Sequence, residues 1–406
     1  MSSQLENNTT KLNNLNQQID DFLINQSYVS SQKPLGSLFL QQTKQYLSNV
    51  VDFNNIFVGF LENLLSYSQD GKTWITASKE LTGIGESFIV YNDTVILASN
   101  YSDKKVLVST DGINWQTILT DIQVNNLCYV NNLFFVLSNT GIFYYSDDGY
   151  LWNEITTAMN NNCWYISYND NLQQYLITDN SFEETILCSN SLDEYTYYEP
   201  LLSSGITDLL VFKDKWLAFC DYAIYYSLDG INWSTCDVYW ENYSNAYSIL
   251  QTKDIIAINE QDICYSYYYS LDGITWSSID IGPFYNYYYT NSQAFAYNGE
   301  KFFGIYNNTV YESSDLLTWS LTEGVPVGSI ERYAYVDGIY LLSQSQYNES
   351  TDTTEYIYSF SQDGQIWIKS NIVNEYSNNI TVLYKNNTIV LSDENAGTYV
   401  SYQLEN

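Results

Sequence analysis

Short runs in which apolar residues alternate with polar ones recur along the chain from about residue 34 onward. Residues 274–279 belong to one such run, and residues 223–226 form a Tyr-rich run; both are rich in aromatic and β-branched residues, which favour strands. Clusters of Asn, Asp, Ser and Gly separate the runs and mark turns. This pattern predicts many short antiparallel strands joined by tight turns.

A heptapeptide of the form Ser-x-Asp-Gly-x-x-Trp follows these strands at regular spacing, and we call it the box. Intact copies begin at Ser68, Ser109, Ser146, Ser227, Ser270 and Ser361. Two degenerate copies run from Ser191 through Asp193 to Tyr197 and from Asp315, flanked by Ser314, to Trp319. Glycine accepts positive φ without steric cost, and Asp and Ser side chains can hydrogen-bond nearby backbone groups. Each box therefore predicts a turn between two strands. The aspartates with a structural role in these turns are expected to be Asp70, Asp111, Asp148, Asp193, Asp229, Asp272, Asp315 and Asp363.

A second turn signal, an aromatic residue followed closely by Asn, Asp or Gly, lies ahead of each box. It occurs at 53–55, 91–93, 129–132, 168–170, 212–214, 297–299, 335–338 and 384–387, and in decayed form at 251–254. Two hairpins in series give four strands per repeat, for example 206–212, 216–220, 223–227 and 232–238. A repeat of four antiparallel strands is typical of a β-propeller blade.

On these boxes the chain resembles the Asp-box family, also called bacterial neuraminidase repeats, over roughly residues 45–404. In that family the box forms the turn between the third and fourth strands of a blade, lies away from the ligand site, and occurs in enzymes and non-enzymes alike. The resemblance implies an all-β fold with a single propeller. We expect nine blades, with eight as the alternative, because nine hairpin signals accompany eight boxes. The last unit, 380–402, ends after its third strand, and residues 35–40 are expected to supply the fourth.

The predicted propeller covers residues 34–406, and residues 1–33 are predicted to be a helical attachment segment. Leu5, Leu12, Leu15, Ile19 and Phe22, with Asn8, form a short heptad seam. Two interpretations stay open: a coiled coil that forms a homo-oligomer or docks on a larger assembly, and a single amphipathic helix lying on the propeller. The segment lacks the basic start and continuous apolar run of a secretory signal, so we expect synthesis in the cytoplasm without a signal peptide.

Charge and composition exclude several classes of function. The net charge of −33, from 47 acidic and 14 basic residues, disfavours nucleic-acid and anionic-membrane partners, and no run is long enough to predict membrane insertion. The six cysteines fall singly, so buried free thiols are expected. The chain contains no histidine, which rules out Ser-His-Asp and Cys-His catalysis. The sequence predicts no metal and no cofactor.

Sialidases share the blade architecture that the boxes imply, but they require three arginines to clamp the substrate carboxylate. This chain has one, Arg332, so we predict that it is not a sialidase and is not an enzyme. A glycosidase that uses paired carboxylates remains the alternative among enzymes, because 47 acidic residues guarantee some close pairs in space.

Strand alternation predicts that boxes and first-to-second turns share one face of the propeller, while the remaining connections, including the insert at 345–355, extend from the other. Aromatic clusters are expected on the fourth-to-first connections of that other face, where they are candidates for stacking on sugars; the alternative is ordinary packing between blades. The candidates are Trp164, Tyr165, Trp240, Tyr243, Tyr285 and Tyr287. Arg332 begins a channel-lining strand and is a candidate for holding an anionic ligand or for pairing with Glu331.

Three function classes follow from the sequence. The first is a non-enzymatic binding or structural component of a virion, a phage tail or head appendage, which contacts other virion or assembly proteins through residues 1–33 and binds host-surface glycans. The second is an intracellular scaffold propeller that holds protein partners. The third is a glycoside hydrolase other than a sialidase.

Overall fold

Every element in the described part of the chain is a β-strand, as its aromatic and β-branched runs predict. The computed structural model describes residues 38–404 apart from 44–46, 63, 72, 78–80, 82–86, 157–162, 180–185, 191, 193–194, 199–201, 203–204, 221–222, 240–245, 261–266, 279–295, 307, 337, 351, 370–379, 386–387 and 394–397. The predicted helical segment, residues 1–33, and its seam Leu5, Leu12, Leu15, Ile19 and Phe22 lie outside the described residues.

Nine four-stranded antiparallel sheets are present in these described ranges. Strand β1 (Leu38–Thr43) belongs to the ninth sheet. The first four sheets are β2–β5 (Leu47–Phe53, Ile56–Leu61, Leu64–Ser68, Trp74–Thr76), β6–β9 (Ser87–Tyr91, Ile96–Asn100, Lys105–Ser109, Gln116–Thr120), β10–β13 (Val124–Val130, Leu133–Ser138, Ile142–Ser146, Asn153–Thr156) and β14–β17 (Cys163–Asn169, Gln174–Asp179, Ile186–Ser189, Tyr195–Tyr198). The next four are β18–β21 (Ile206–Phe212, Lys215–Cys220, Ala223–Ser227, Trp233–Tyr239), β22–β25 (Ala246–Gln251, Ile256–Glu260, Tyr267–Ser270, Trp276–Ser278), β26–β29 (Ala296–Tyr297, Phe302–Tyr306, Thr309–Ser313, Ser320–Leu321) and β30–β33 (Ser329–Val336, Ile339–Asn348, Thr353–Ser361, Ile368–Lys369). The ninth contains β34 (Ile380–Lys385), β35 (Thr388–Asp393) and β36 (Thr398–Leu404) together with β1.

The second strand of most sheets is apolar on both of its faces. In β19 the residues from Trp216 to Cys220 are all buried, and in β7 every residue is buried. A strand is apolar on both faces when its sheet is covered on both sides. The fourth strands are more exposed, as in β9, where both end residues are exposed. The core therefore lies between sheets, and the fourth strands form its outer margin.

Successive sheets pack against each other through buried apolar layers. Phe212 and Leu217 of the fifth sheet pack with Ile256 and Ile258 of the sixth, and comparable layers join the other neighbouring pairs from the first sheet to the eighth. The eighth sheet meets the ninth where β30 contacts β34. Val390 of the ninth sheet packs with Val50 and Phe57 of the first, so the series closes on itself. A closed series of four-stranded antiparallel sheets is a β-propeller.

First strands form the inner wall of this propeller. β2 contacts β6 on one side and β34 on the other, and the contacts continue from β6 through β10 and β14 to β18. Several of these strands carry a β-bulge near their start, for example between Ser48 and Val51 in β2 and between Val124 and Asn126 in β10. At two of them an Asn amide bonds the first residue of the next inner strand: Asn49 Nδ2 donates to Ser87 O at 2.6 Å, and Asn125 Nδ2 donates to Cys163 O at 3.5 Å.

The ninth sheet contains strands from both ends of the described chain. β1 pairs antiparallel with β36, from Leu38 opposite Leu404 to Thr43 opposite Tyr399. Residues 35–40, expected to supply this fourth strand, overlap β1 at its first three positions. In the other sheets a box joins the third strand to the fourth, so the end of β36 and the beginning of β1 lie at the same edge as the boxes.

The polar insert at 345–355 extends the second and third strands of the eighth sheet. Strand β31 continues to Asn348 and β32 begins at Thr353, with unbroken pairing between them, so the insert is a lengthened hairpin. The turn is closed by a hydrogen bond from Asp352 N to Asn348 O at 2.9 Å. Alternating Ser, Gln, Tyr and Thr residues allow this pairing because they suit a solvent-exposed strand.

Candidate functional site

Box aspartates accept hydrogen bonds from their own turn. In the second sheet Asp111 Oδ1 accepts bonds from Ser109 Oγ at 2.9 Å and from the backbone N–H groups of Ile113 and Asn114 at 2.8 and 2.7 Å. The serine hydroxyl also accepts a bond from the box glycine N–H, here Gly112 at 2.9 Å. The same carboxylate bonds recur around Asp148, Asp229, Asp272, Asp315 and Asp363, and Asp70 bonds Ser68 and Thr73.

The tryptophan of the box has a polar role besides its packing. In five boxes the indole N–H donates to the backbone carbonyl of the residue at the glycine position, at 3.0–3.3 Å. These are Trp115, Trp152, Trp233, Trp319 and Trp367. The indole ring and the carboxylate therefore both hydrogen-bond the backbone of the same turn.

These hydrogen bonds keep the box carboxylates ionised. Partial burial acts to raise the pKa of Asp111, but the bonds from Asn114, Ile113 and Ser109 outweigh it and lower the pKa to about 2. Asp229 behaves in the same way, with Asn232 as the principal donor and a pKa of about 2. A carboxylate committed to four donors and held at low pKa suits a turn and not proton transfer.

One of the two degenerate boxes begins earlier than the sequence suggested. Leu192 N donates to Ser189 Oγ at 2.8 Å, the bond that glycine makes in the intact boxes, and Leu192 has a φ of 64°. Ser189 therefore takes the box serine position, two residues before the Ser191 that the sequence suggested; Asp193 lies outside the described residues. In the seventh sheet Asp315 occupies the aspartate position of the box, and the hydroxyl that bonds it belongs to Ser313. Leucine replaces glycine in both degenerate boxes, at Leu192 and at Leu316 (φ 63°), and this replacement hides the register of the box in the fourth sheet.

First-to-second turns and boxes lie on the same face, as strand alternation predicts, and we call it the turn face. Asn54 Nδ2 in the turn after β2 donates to Thr110 O in the neighbouring box at 3.3 Å. Lys213 Nζ in the turn after β18 donates to Leu271 O in the box of the next sheet at 2.8 Å. The turns after β2 and β18 thus each contact the box of the following sheet.

An open cleft of about 750 Å³ lies on the turn face at the inner wall. It is formed by the ends of β10, β14, β18 and β22 and by the turns that follow them. The lining comprises residues 129–131, 166–168, 170–171, 211–214 and 251–254. Its volume is in the range of known small-molecule and side-chain pockets. The cleft therefore spans four consecutive sheets.

Hydrogen bonds between neighbouring sheets fix the rim of the cleft. Asn131 Nδ2 donates to the hydroxyl of Tyr175 at 2.6 Å, Gln251 Nε2 donates to Val211 O at 2.8 Å, and Asn171 donates to the Asp214 carboxylate. Rims held in this way lose little conformational freedom when a ligand binds.

Aromatic and charged groups alternate along the cleft. Tyr168 is half-buried and packs on Tyr175 with ring centroids 4.5 Å apart, while Asp170 beside it is exposed. Lys213 Nζ lies 5.5 Å from the centroid of the Phe212 ring and 4.0 Å from Asp254 Oδ1. Lys253 is exposed at the same rim. The cleft therefore offers apolar walls with both signs of charge at its mouth.

The sequence pointed to the opposite face for binding, and the cleft residues were missed as a site. Their signal was nevertheless present, since residues 129–132, 168–170, 212–214 and 251–254 are the turn signals that precede the third to sixth boxes. The sequence shows them as separate turns, whereas the ring brings four of them together.

The predicted ligand residues are distributed differently. Trp164 and Tyr165 lie within β14 and not on the connection before it, because that inner strand begins at Cys163 and bulges between Cys163 and Tyr165. Tyr165 packs against the core between the fourth and fifth sheets, where burial, with a smaller contribution from nearby Asp208, raises the pKa of its hydroxyl. Arg332 lies within β30, three residues after the strand begins. Trp240, Tyr243, Tyr285 and Tyr287 lie outside the described residues.

The described cysteines show no sign of a reactive thiol. Cys128, Cys163, Cys188, Cys220 and Cys236 are not in disulfide bonds, and all but Cys128 are buried. Burial raises the pKa of Cys188 to about 11 and that of Cys236 to about 12, which leaves both as unreactive thiols at neutral pH. Among the described residues, no three Cys, Asp or Glu side chains group closely enough to hold a metal ion. In the same part of the chain, no helix has the length and apolar character needed to cross a bilayer.

Comparison with known proteins supports the fold and does not extend to a family. No family model matches the chain, and no curated protein matches it either. Among solved structures, the β-propeller protein Sqt1 from Saccharomyces cerevisiae is similar over 92% of this chain and 100% of its own, with 10% identity and a TM-score of 0.50. The computationally designed protein Ika8 is similar over the same shares, with 11% identity and a TM-score of 0.50. BamB from Moraxella catarrhalis is 9% identical over 78% of this chain and 98% of its own, with a TM-score of 0.46.

Proposed function

We propose that this chain is a non-enzymatic binding propeller that holds a protein partner at the turn-face cleft. The observation that carries the proposal is the cleft itself, a volume of about 750 Å³ built from four successive turns whose neighbours are tied by hydrogen bonds. A fixed rim with aromatic walls and a few polar groups is the usual form of a recognition site.

The absence of catalysis is part of the same proposal. Box carboxylates such as Asp111 are committed to their turns at low pKa, so they are poor proton donors at neutral pH. The full sequence has no histidine and a single arginine, so it lacks an imidazole base and the arginine cluster that would clamp an anionic substrate.

We also propose the finer architecture that the sequence suggested, a nine-blade Asp-box propeller closed by a strand from before the first blade. The nine four-stranded sheets of the described residues and the pairing of β1 with β36 support it. Negative-stain images of the particle viewed along its axis would test the blade number, and eight lobes would refute it.

A role as a virion component that binds surface glycans is the more specific form of this proposal. It is supported by the heptad seam of residues 1–33 ahead of a strongly acidic propeller. We expect an oligomer in solution that becomes a monomer when residues 1–30 are deleted. A chain that is monomeric with or without these residues would instead favour the scaffold alternative.

The central test screens a displayed peptide library and a glycan panel in parallel. We expect saturable peptide binding that is lost in the variant Asp170→Arg, which places a long side chain at the mouth of the cleft. Asp93→Arg makes the same charge change on a turn outside the cleft and should bind normally. If neither substitution changes the affinity for the peptide, the cleft is not the binding site. Turnover of any glycan without added metal would refute the non-enzymatic assignment.

A further inference from the structure

The charge at the mouth of the cleft sets it apart from a general apolar pocket. Three carboxylates, Asp170, Asp214 and Asp254, are exposed in its lining together with two lysines, Lys213 and Lys253. The two lysines do not neutralise the three carboxylates. Lys213 already interacts with groups of the protein. Its ammonium donates to Leu271 O at 2.8 Å and lies 4.0 Å from Asp254.

The three carboxylates differ in how accessible they are to a ligand. Asp214 accepts a bond from Asn171, so one of its oxygens is committed to the rim. The Asp254 side chain is 78% exposed, although Lys213 lies near it. Asp170 is exposed at the turn after β14. Asp170 and Asp254 therefore offer accessible negative charge on opposite sides of the cleft, in the second and fourth of its four turns.

Apolar surface adjoins these charges. Tyr168, Tyr129 and Val211 are partly exposed and line the cleft, and Leu271, whose carbonyl accepts the bond from Lys213, exposes 54% of its surface on the adjoining box. The whole chain carries a net charge of −33, which attracts cationic partners from a distance and repels anionic ones. Long-range attraction and local chemistry thus favour the same class of ligand.

We infer that the cleft binds a basic peptide segment in which lysine or arginine alternates with apolar residues, an inference that rests on the proposed binding function. The cationic groups of the segment pair with Asp170 and Asp254, while its apolar side chains pack on Tyr168, Tyr129 and the exposed face of Leu271. Arginine and lysine suit such a site because their aliphatic stems pack on aromatic rings while their charges reach carboxylates.

The probe is an acetylated, amidated peptide of alternating lysine and leucine, with alternating glutamate and leucine as its matched counterpart. Binding to the full chain is measured by fluorescence anisotropy at fixed ionic strength. The double variant Asp170→Asn/Asp254→Asn is expected to weaken binding of the lysine peptide by roughly 2- to 30-fold, the range for two exposed ion pairs. The control Asp93→Asn/Asp121→Asn removes the same charge at exposed positions outside the cleft and should change binding by less than roughly twofold.

The outcomes separate this inference from the proposed function. An equal loss in both double variants would mean diffuse attraction to an acidic protein and would overturn the inference. Equal or tighter binding of the glutamate peptide would overturn it as well. If library peptides still need an open cleft while the lysine peptide does not bind, the basic class is wrong and the binding function stands. If no peptide depends on the cleft, both fail.

Discussion

The substitution Gly230→Ala tests how the box joins neighbouring sheets. Gly230 has a φ of 75°, and a Cβ at this position would lie 2.6 Å from Oε1 of Gln174 and 3.1 Å from Leu176 in the preceding sheet. Gln174 can yield only by moving the oxygen that accepts a hydrogen bond from Trp216 Nε1 at 3.1 Å. Trp216 is completely buried, so its indole N–H would lose its partner where water cannot replace it.

The cost follows from these two contributions. A non-glycine residue in the left-handed region costs about 1–2 kcal/mol, and leaving a buried donor unsatisfied costs about 1–3 kcal/mol. We expect Gly230→Ala to lower the free energy of unfolding by about 2–5 kcal/mol. Gly299→Ala is the matched control, because Gly299 has a φ of 95° and its Cβ would meet nothing within 4 Å. That control should lose only the conformational contribution of about 1–2 kcal/mol.

Urea unfolding followed by tryptophan fluorescence measures both variants. A double-mutant cycle with Gln174→Ala isolates the contact, because the Gln174→Ala change removes the clash and the acceptor together. Gly230→Ala should then cost less in the Gln174→Ala background than in the unchanged protein. Equal losses for Gly230→Ala and Gly299→Ala would refute the claim that the box glycine is needed for close approach of the sheets.

Three further results are expected. Because the pKa values of Asp111 and Asp229 are depressed, their stabilising contribution is present above pH about 4 and is lost as the pH falls towards about 2; the double variant Asp111→Asn/Asp229→Asn should flatten acid unfolding curves in that window. Tyr340→Phe removes the hydroxyl that accepts from Asn298 at 2.7 Å and should cost about 0.5–1.5 kcal/mol in urea unfolding. Deletion of residues 1–43 removes β1 and should lower the melting temperature followed by circular dichroism, whereas deletion of residues 1–30 should not.

Local chemistry made much of the fold predictable. The strands of the fifth sheet were expected at 206–212, 216–220, 223–227 and 232–238, and the structure has them within one residue at each end. Prediction succeeded there because Asp-Gly turns and aromatic-Asn turns are specified by residues next to each other. Prediction failed at Ser189 because the turn there is not marked by its local residues. Leu192 adopts a positive φ, a conformation that a leucine does not announce in the sequence.

The candidate site was beyond sequence analysis for a geometric reason. The cleft joins turns that begin near residues 129, 168, 212 and 251, which lie far apart in the chain and meet only because successive sheets are rotated about one axis. Tyr165 illustrates the converse error. Its aromatic neighbours suggested an exposed connection, but the bulge in β14 turns this residue towards the core between two sheets.

Pairing of β1 with β36 has a consequence for the order of folding. Eight of the nine sheets join strands that follow one another along the chain and can form as soon as those strands are made. The ninth must bring Leu38 to Leu404, almost the whole length of the described chain, and closing so long a loop is slow. During synthesis on the ribosome the first eight sheets should therefore form before the ring closes, because the ninth sheet needs β36. Refolding experiments should show a late kinetic phase that a covalent link between those two strands would abolish.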